Sequence, residues 1–232
     1  MSDMPPMDTA PPPAPPFAGL PWEEPSAGLG SIVPTTMRFI ASPVDAFMKM
    51  SLTVDLVRPI AYCVIWALLG ACINQIWSFL LYDTILAVVR GLAGANFEKL
   101  APFMQKPGAL QLMLGLVITP LIALIVLFVW TALVHLALTL LGGANRGFAA
   151  TLRVMCYAQT TQVAVVLPGV GGFIAFIWRL ILDVVGLAQA HKTESWKAIL
   201  AVLLPLLLCC VCIVAGVVAF GAAVGQALQQ LK

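Results

Sequence analysis

From Ala198 to Leu231 the chain carries no charged side chain, and stretches of comparable length recur upstream at residues 59 to 82 and 107 to 145. A bilayer hydrocarbon core about 30 Å thick is crossed by roughly 20 apolar residues rising about 1.5 Å each. Only a helix or a closed barrel satisfies its own backbone polar groups there. The chain therefore reads as all-α, a polytopic membrane helix bundle. Charged residues make up 9% of the 232, against roughly 25% in a soluble domain. The net charge of +2 is scattered and forms no basic stripe, so no nucleic-acid partner is expected.

The first segment is different in kind. Residues 1 to 34 hold ten of the seventeen prolines and few large apolar residues. Residues 1 to 40 are therefore expected to be a disordered, Pro-rich cytosolic tail, of which residues 1 to 34 are dispensable for insertion and folding. Within it Leu20-Pro21-Trp22-Glu23-Glu24-Pro25 reads either as a docking motif or as an incidental linker. No signal-peptide pattern opens the chain, and the first span is expected to direct insertion. The membrane domain is assigned to residues 41 to 232.

Val44, Phe47, Met48, Leu52 and Leu56 fall at helical spacing among Asp45, Lys49 and Asp55, which predicts an interfacial helix over 43–58. Five spans follow, at about 59–82, 112–141, 154–167, 170–190 and 198–225. The second must tilt, protrude or bend at Pro120, and Pro168-Gly169 is expected to turn the third span into the fourth. Merging those two would give four spans, and the distribution of basic residues decides between the counts. Five spans with the N-terminus inside place Arg38, Lys49, Arg58, Arg146, Arg153, Lys192 and Lys197 inside. Outside are then only Arg90, Lys99, Lys106 and Lys232. Four spans divide the basic residues evenly and lose the bias.

Several stretches resemble the Yip1 domain family of membrane proteins in its bacterial branch. They are Leu141-Gly142-Gly143 with Phe148, Thr151-Leu152-Arg153-Val154 leading to Tyr157-Ala158, and Leu167-Pro168-Gly169-Val170-Gly171-Gly172. Ile177-Trp178, Gly186-Leu187, His191 and Trp196-Lys197-Ala198 continue the likeness. Upstream, Pro21-Trp22-Glu23 and Ser42-Pro43-Val44-Asp45-Ala46-Phe47 are similar to the start of that domain. Asp55-Leu56-Val57-Arg58-Pro59 is similar to the Asp-Leu-Tyr-Gly-Pro motif of eukaryotic members, with Val57 and Arg58 in place of tyrosine and glycine. The resemblance implies a five-span fold with a cytosolic N-terminus in the plasma (inner) membrane, and it implies no reaction.

Arg179 and Asp183 stand one helical turn apart inside the fourth span, where an isolated charge costs at least about 2.5 kcal/mol, so they are expected to pair. Tyr157, Gln159, Thr160, Thr161 and Gln162, with Asn74 and Gln75 of the first span, are candidates to complete an intramembrane polar cluster. Such a cluster serves either as an ion, proton or solute site or as glue between helices. His135, lacking a second ligand at helical spacing, is expected to hydrogen-bond a neighbouring helix rather than hold a metal. Cys209, Cys210 and Cys212 lie about 18 Å into the last span and are assigned to packing. Gly169, Gly171, Gly172 and the small residues Ala215, Ala219, Gly221, Ala223 and Gly225 are expected to permit close helix packing, within the chain or with a second copy. No HExxH, nucleophile elbow or phosphate loop occurs, and no catalytic residue, metal or cofactor is expected. The function expected is non-enzymatic organisation of membrane or protein partners, and the alternative is a small-solute or ion transporter using Arg179 and Asp183.

Overall fold

A computed structural model describes residues 19–53, 55–94, 97–104, 106 and 108–230, without the side chains of 99, 103, 220 and 222–230. Among these residues the regular structure is helical. Four helices are long and apolar enough to cross a membrane: α3 (Val57–Leu80), α6 (Ala109–Leu140), α8 (Gly171–His191) and α9 (Ser195–Gln230), the last through Ala219. Shorter helices are α1 (Ile32–Ala41), α2 (Pro43–Lys49), α4 (Tyr82–Ala93), α5 (Phe97–Leu100) and α7 (Gly147–Tyr157). Both Pro120 in α6 and Pro205 in α9 lie inside continuous helices.

The third pass is built differently from the helix expected at 154–167. There α7 runs into a nine-residue 3-10 helix, Ala158–Val166. At about 1.5 and 2.0 Å per residue the two pieces rise about 16 and 18 Å, together the length of a bilayer core. Contacts fix their direction. Near its start the Arg146 N–H donates to His191 at the end of α8, and at its other end the Trp77 indole donates to the Val165 carbonyl. This composite pass therefore runs antiparallel to α8 and parallel to α3. It lies mostly buried, so it needs no continuous apolar surface toward lipid, and it can carry Gln159, Thr160, Thr161 and Gln162. Polar side chains of this kind lower the prominence of a span in any hydropathy reading. The Pro168-Gly169 turn forms as expected, with Gly169 at φ +76°.

The expectation of an unstructured segment through residue 40 is corrected from Gly19 onward. Leu20 and Phe39 are fully buried, and Trp22, Glu23 and Ile32 are nearly so. Residues 19–31 form a strap over one end of the bundle, followed by α1 and α2. The Trp22 backbone N–H donates to Thr35 Oγ1 at 2.9 Å and its indole donates to the Arg58 carbonyl at 2.6 Å. Arg58 returns two bonds, from Nη1 to the Trp22 carbonyl (2.8 Å) and from Nη2 to the Pro25 carbonyl (2.9 Å), while Arg38 holds the Gly19 carbonyl (2.9 Å). Proline-rich composition disfavours a self-sufficient core, but four large apolar side chains suffice when the bundle supplies the other wall. Residues 1–18 lie outside the described residues.

The interfacial helix expected over 43–58 is also shorter, ending at Lys49. Asp55 stops it from joining α3: its Oδ1 accepts the Val57 and Arg58 N–H groups (3.0 and 3.3 Å), capping the first turn of α3. Phe39 ties strap and bundle together, packing edge-on against Phe47 (4.8 Å between centroids) and stacking on Tyr157 (5.3 Å). A methyl group on Gly186 would lie 2.5 Å from Val154 and 2.8 Å from the Phe47 ring, so α2 reaches α8 only because that residue is glycine.

Candidate functional site

Arg179 sits eight residues into α8, with its side chain aimed back at the composite pass. Its Nε donates to both oxygens of Asp183 at 3.0 and 3.2 Å. One Nη donates to the Gln159 side-chain carbonyl and the other to the Met155 backbone carbonyl at 2.9 Å. The guanidinium thus joins α8 to the junction of α7 with the 3-10 helix. Asp183 is fully buried, its side chain 1% exposed against 20% for Arg179. The expected pairing across one turn is present.

Two cavities meet at Arg179. One, of about 330 Å³, is walled by Val126, Trp130, Leu180 and Leu206 and reaches Asp183. The other, of about 280 Å³, is lined by Asn74, Thr161, Gln162 and Gly172. Of the residues expected in an intramembrane cluster, Gln159 bonds Arg179 directly, and Asn74 and Gln162 face the same space. Three belong elsewhere, Thr160 among them, whose hydroxyl bonds Tyr62. Gln75 turns toward Gly115 and an apolar cavity between α3 and α6. Tyr157, adjacent to Ala158 where the backbone tightens, points the other way, beneath the strap.

Tyr157 is the centre of a second polar constellation that sequence reasoning did not assemble. Its hydroxyl donates to Glu23 Oε1 at 2.9 Å, and Glu23 Oε2 accepts the Ser51 N–H at 2.9 Å. Burial pushes the Glu23 carboxyl above the usual carboxylate range, opposed by these hydrogen bonds and by the field of Arg153. The Tyr62 ring packs beside Tyr157 at 5.2 Å, and its hydroxyl shares hydrogen bonds with Thr160 Oγ1 (2.6 Å) and Thr36 Oγ1 (2.8 Å). The available signal was the Trp22-Glu23 interruption of a proline-rich run, which named the residues without their partners.

A third group links α6, α7 and α8. His191 Nδ1 accepts the Arg146 N–H at 3.1 Å, so its Nε2 carries the proton and donates to Thr151 Oγ1 at 2.9 Å. The Thr151 hydroxyl then donates to His135 Nδ1 at 2.8 Å. His135 thereby makes the interhelical bond expected of it.

The small-residue positions divide. A methyl group on Gly171 would collide with the Ala164 carbonyl, so this glycine does permit close packing. Gly172 has open space at its Cβ position, as do Gly169 and Gly221. Ala215 and Ala219 are exposed. These positions of α9 do not pack within the chain, which corrects the intramolecular half of that expectation. The side chains of Ala223 and Gly225 lie outside the described residues.

The family model described as the Yip1 domain matches residues 37–216, more than half of the chain. The chain belongs to the Yip1 domain family. The match begins within α1 and runs into α9, so it contains Tyr157, Gln159, Arg179 and Asp183. Trp22 and Glu23 of the strap precede it. Comparisons with curated proteins and with solved structures return no match. Family membership and the four apolar helices make this an integral membrane protein of the Yip1 type.

Proposed function

We propose that this Yip1 domain protein is non-enzymatic and organises membrane or protein partners, as a multi-pass protein of the plasma (inner) membrane with its N-terminus in the cytoplasm. One observation carries the reading: the acceptors of Arg179 all belong to its own bundle, so this charge within α8 is engaged in holding α8 to the third pass. The contacts also put Arg58, Arg146, Arg153 and Lys192 at the strap end of the bundle, in keeping with an inward-facing end. A second reading, a small-solute or ion pathway, draws on the two cavities that meet at Arg179.

The charge-free double variant Arg179→Leu/Asp183→Leu separates the two. A scaffold retains the cellular phenotype of the wild type once the double variant folds; a pathway loses it, because ion or solute binding needs the charges themselves. Orientation has its own test. A reporter active only in the cytoplasm should be silent when fused after Lys232, and strong signal there would reverse the assignment of ends.

A further inference from the structure

Where α2 meets the end of α8 there is a cavity of about 320 Å³ lined by Met48, Met50 and Leu52 together with Arg146, Lys192 and Gln189; Met50 is buried and Met48 exposed. The two basic side chains are exposed, and neither is ion-paired among the described residues. We propose that this cavity binds the phosphate headgroup of an anionic phospholipid, the first part of its acyl region lying against Met48 and Met50.

Three features argue for a lipid source. The first is depth. His191 ends a membrane-spanning helix and Lys192 follows it directly, so the cavity sits where hydrocarbon gives way to headgroups. The second is the mixed lining, two cations beside two thioethers and a leucine, which matches an amphiphile and not a free ion. On α1 and α2, Val33, Met37, Ile40 and Val44 are exposed apolar residues as well. The third is backbone strain. Lys192 is the one non-glycine residue at positive φ among the described residues, at 50°. It occupies the left-handed position after α8, with the Thr193 N–H closing on the Ala188 carbonyl at 3.1 Å, where glycine is the usual residue. A lysine kept at a position that favours glycine points to a use for its charge.

The test uses the full chain in neutral detergent, titrated with phosphatidylglycerol, phosphatidylcholine or inorganic phosphate and read by native mass spectrometry. The expected result is one saturable lipid with preference for phosphatidylglycerol. Arg146→Gln and Lys192→Gly should each lower that preference by about fivefold, the usual weight of one basic residue at an anionic surface. Lys192→Gly carries a second readout, since relief of the left-handed backbone should leave its melting temperature at or above that of wild type. Lost binding then cannot be ascribed to misfolding. Lys106→Gln at the opposite end should bind as wild type does. Equal binding of the two lipids, or a preference that survives the double variant, overturns the proposal. Displacement of the lipid by millimolar phosphate would reassign the cavity to a free anion and overturn it as well.

Discussion

Two buried acids among the described residues are held in opposite ways. Asp183 lies in the middle of α8 with its counter-ion one turn away on the same helix, so the pair forms as soon as the helix does. Glu23 lies under the strap, and the hydroxyl it accepts from is 134 residues distant, so its site exists only once strap, α7 and the residue 50 turn have come together. The first is a local pair used to clamp helices; the second is a record of tertiary closure. An acid's partner distance along the chain thus determines whether its loss weakens one seam or reports on the whole cap.

The largest effect should come from removing the closure itself. Deleting residues 19–41 strips Leu20, Trp22, Ile32 and Phe39 from the core, and each such side chain contributes about 1.5–3 kcal/mol on burial. No folded monomer should elute from size exclusion in mild detergent. A truncated chain that melts at the wild-type temperature would show that the strap is a passenger, and would restore the tail expected from proline content.

Next in size is the local pair. Arg179→Leu or Asp183→Leu leaves one charge unpartnered, which costs about 3–5 kcal/mol in a buried pair. The double variant should recover much of the lost folded yield. Single variants as stable as wild type would mean that the remaining charge reaches water, through the cavities beside Arg179, and would favour the pathway reading. Smaller again is Gly186→Ala, at about 1–3 kcal/mol for an overpacked contact. It forces Phe47 away from α8 and so loosens the strap end without touching either acid. An unchanged melting temperature would uncouple α2 from the bundle.

The same contrast explains what the sequence made legible. Hydropathy placed α3, α6, α8 and α9, because each carries a long apolar stretch, interrupted in α8 by the Arg179–Asp183 pair. The Arg179–Asp183 pair was legible because its spacing is helical. The third pass was expected at 154–167 from the distribution of basic residues, but its composite build from α7 and a 3-10 helix was not legible, since a buried segment answers to its neighbours, and Gln159 and Thr160 are satisfied by Arg179 and Tyr62. The strap was missed for a related reason. Pro, Ala and Gly dilute Leu20 and Trp22 to the average of a linker, and composition does not register that the bundle already offers a surface shaped by Phe39, Tyr62 and Arg58. Gly186 carried a signal, a glycine within an apolar helix, but its partner Phe47 lies far off in sequence.

The smallest effect is the most specific to the closure, and is read as a slope against pH. The Glu23 carboxyl is raised in the folded protein, so the folded state holds its proton more tightly than the unfolded chain does. Its contribution to stability is therefore greatest below the ordinary carboxylate pKa and declines as pH rises through the raised value. Arg153 tempers the decline without reversing it, because burial is the larger influence. Glu23→Gln removes the ionisation. The amide, like the protonated acid, offers one carbonyl oxygen to accept the Ser51 N–H and one donor to the Tyr157 hydroxyl oxygen, so the variant should lie within about 1 kcal/mol of wild type at acidic pH. Its melting temperature should change less than that of wild type as pH rises upward from the ordinary carboxylate range. Equal slopes in the two proteins would show that Glu23 stays ionised beneath the strap, with Arg153 as its effective counter-ion. The two acids of the bundle would then be alike, each a paired charge, and the contrast drawn between them would fall.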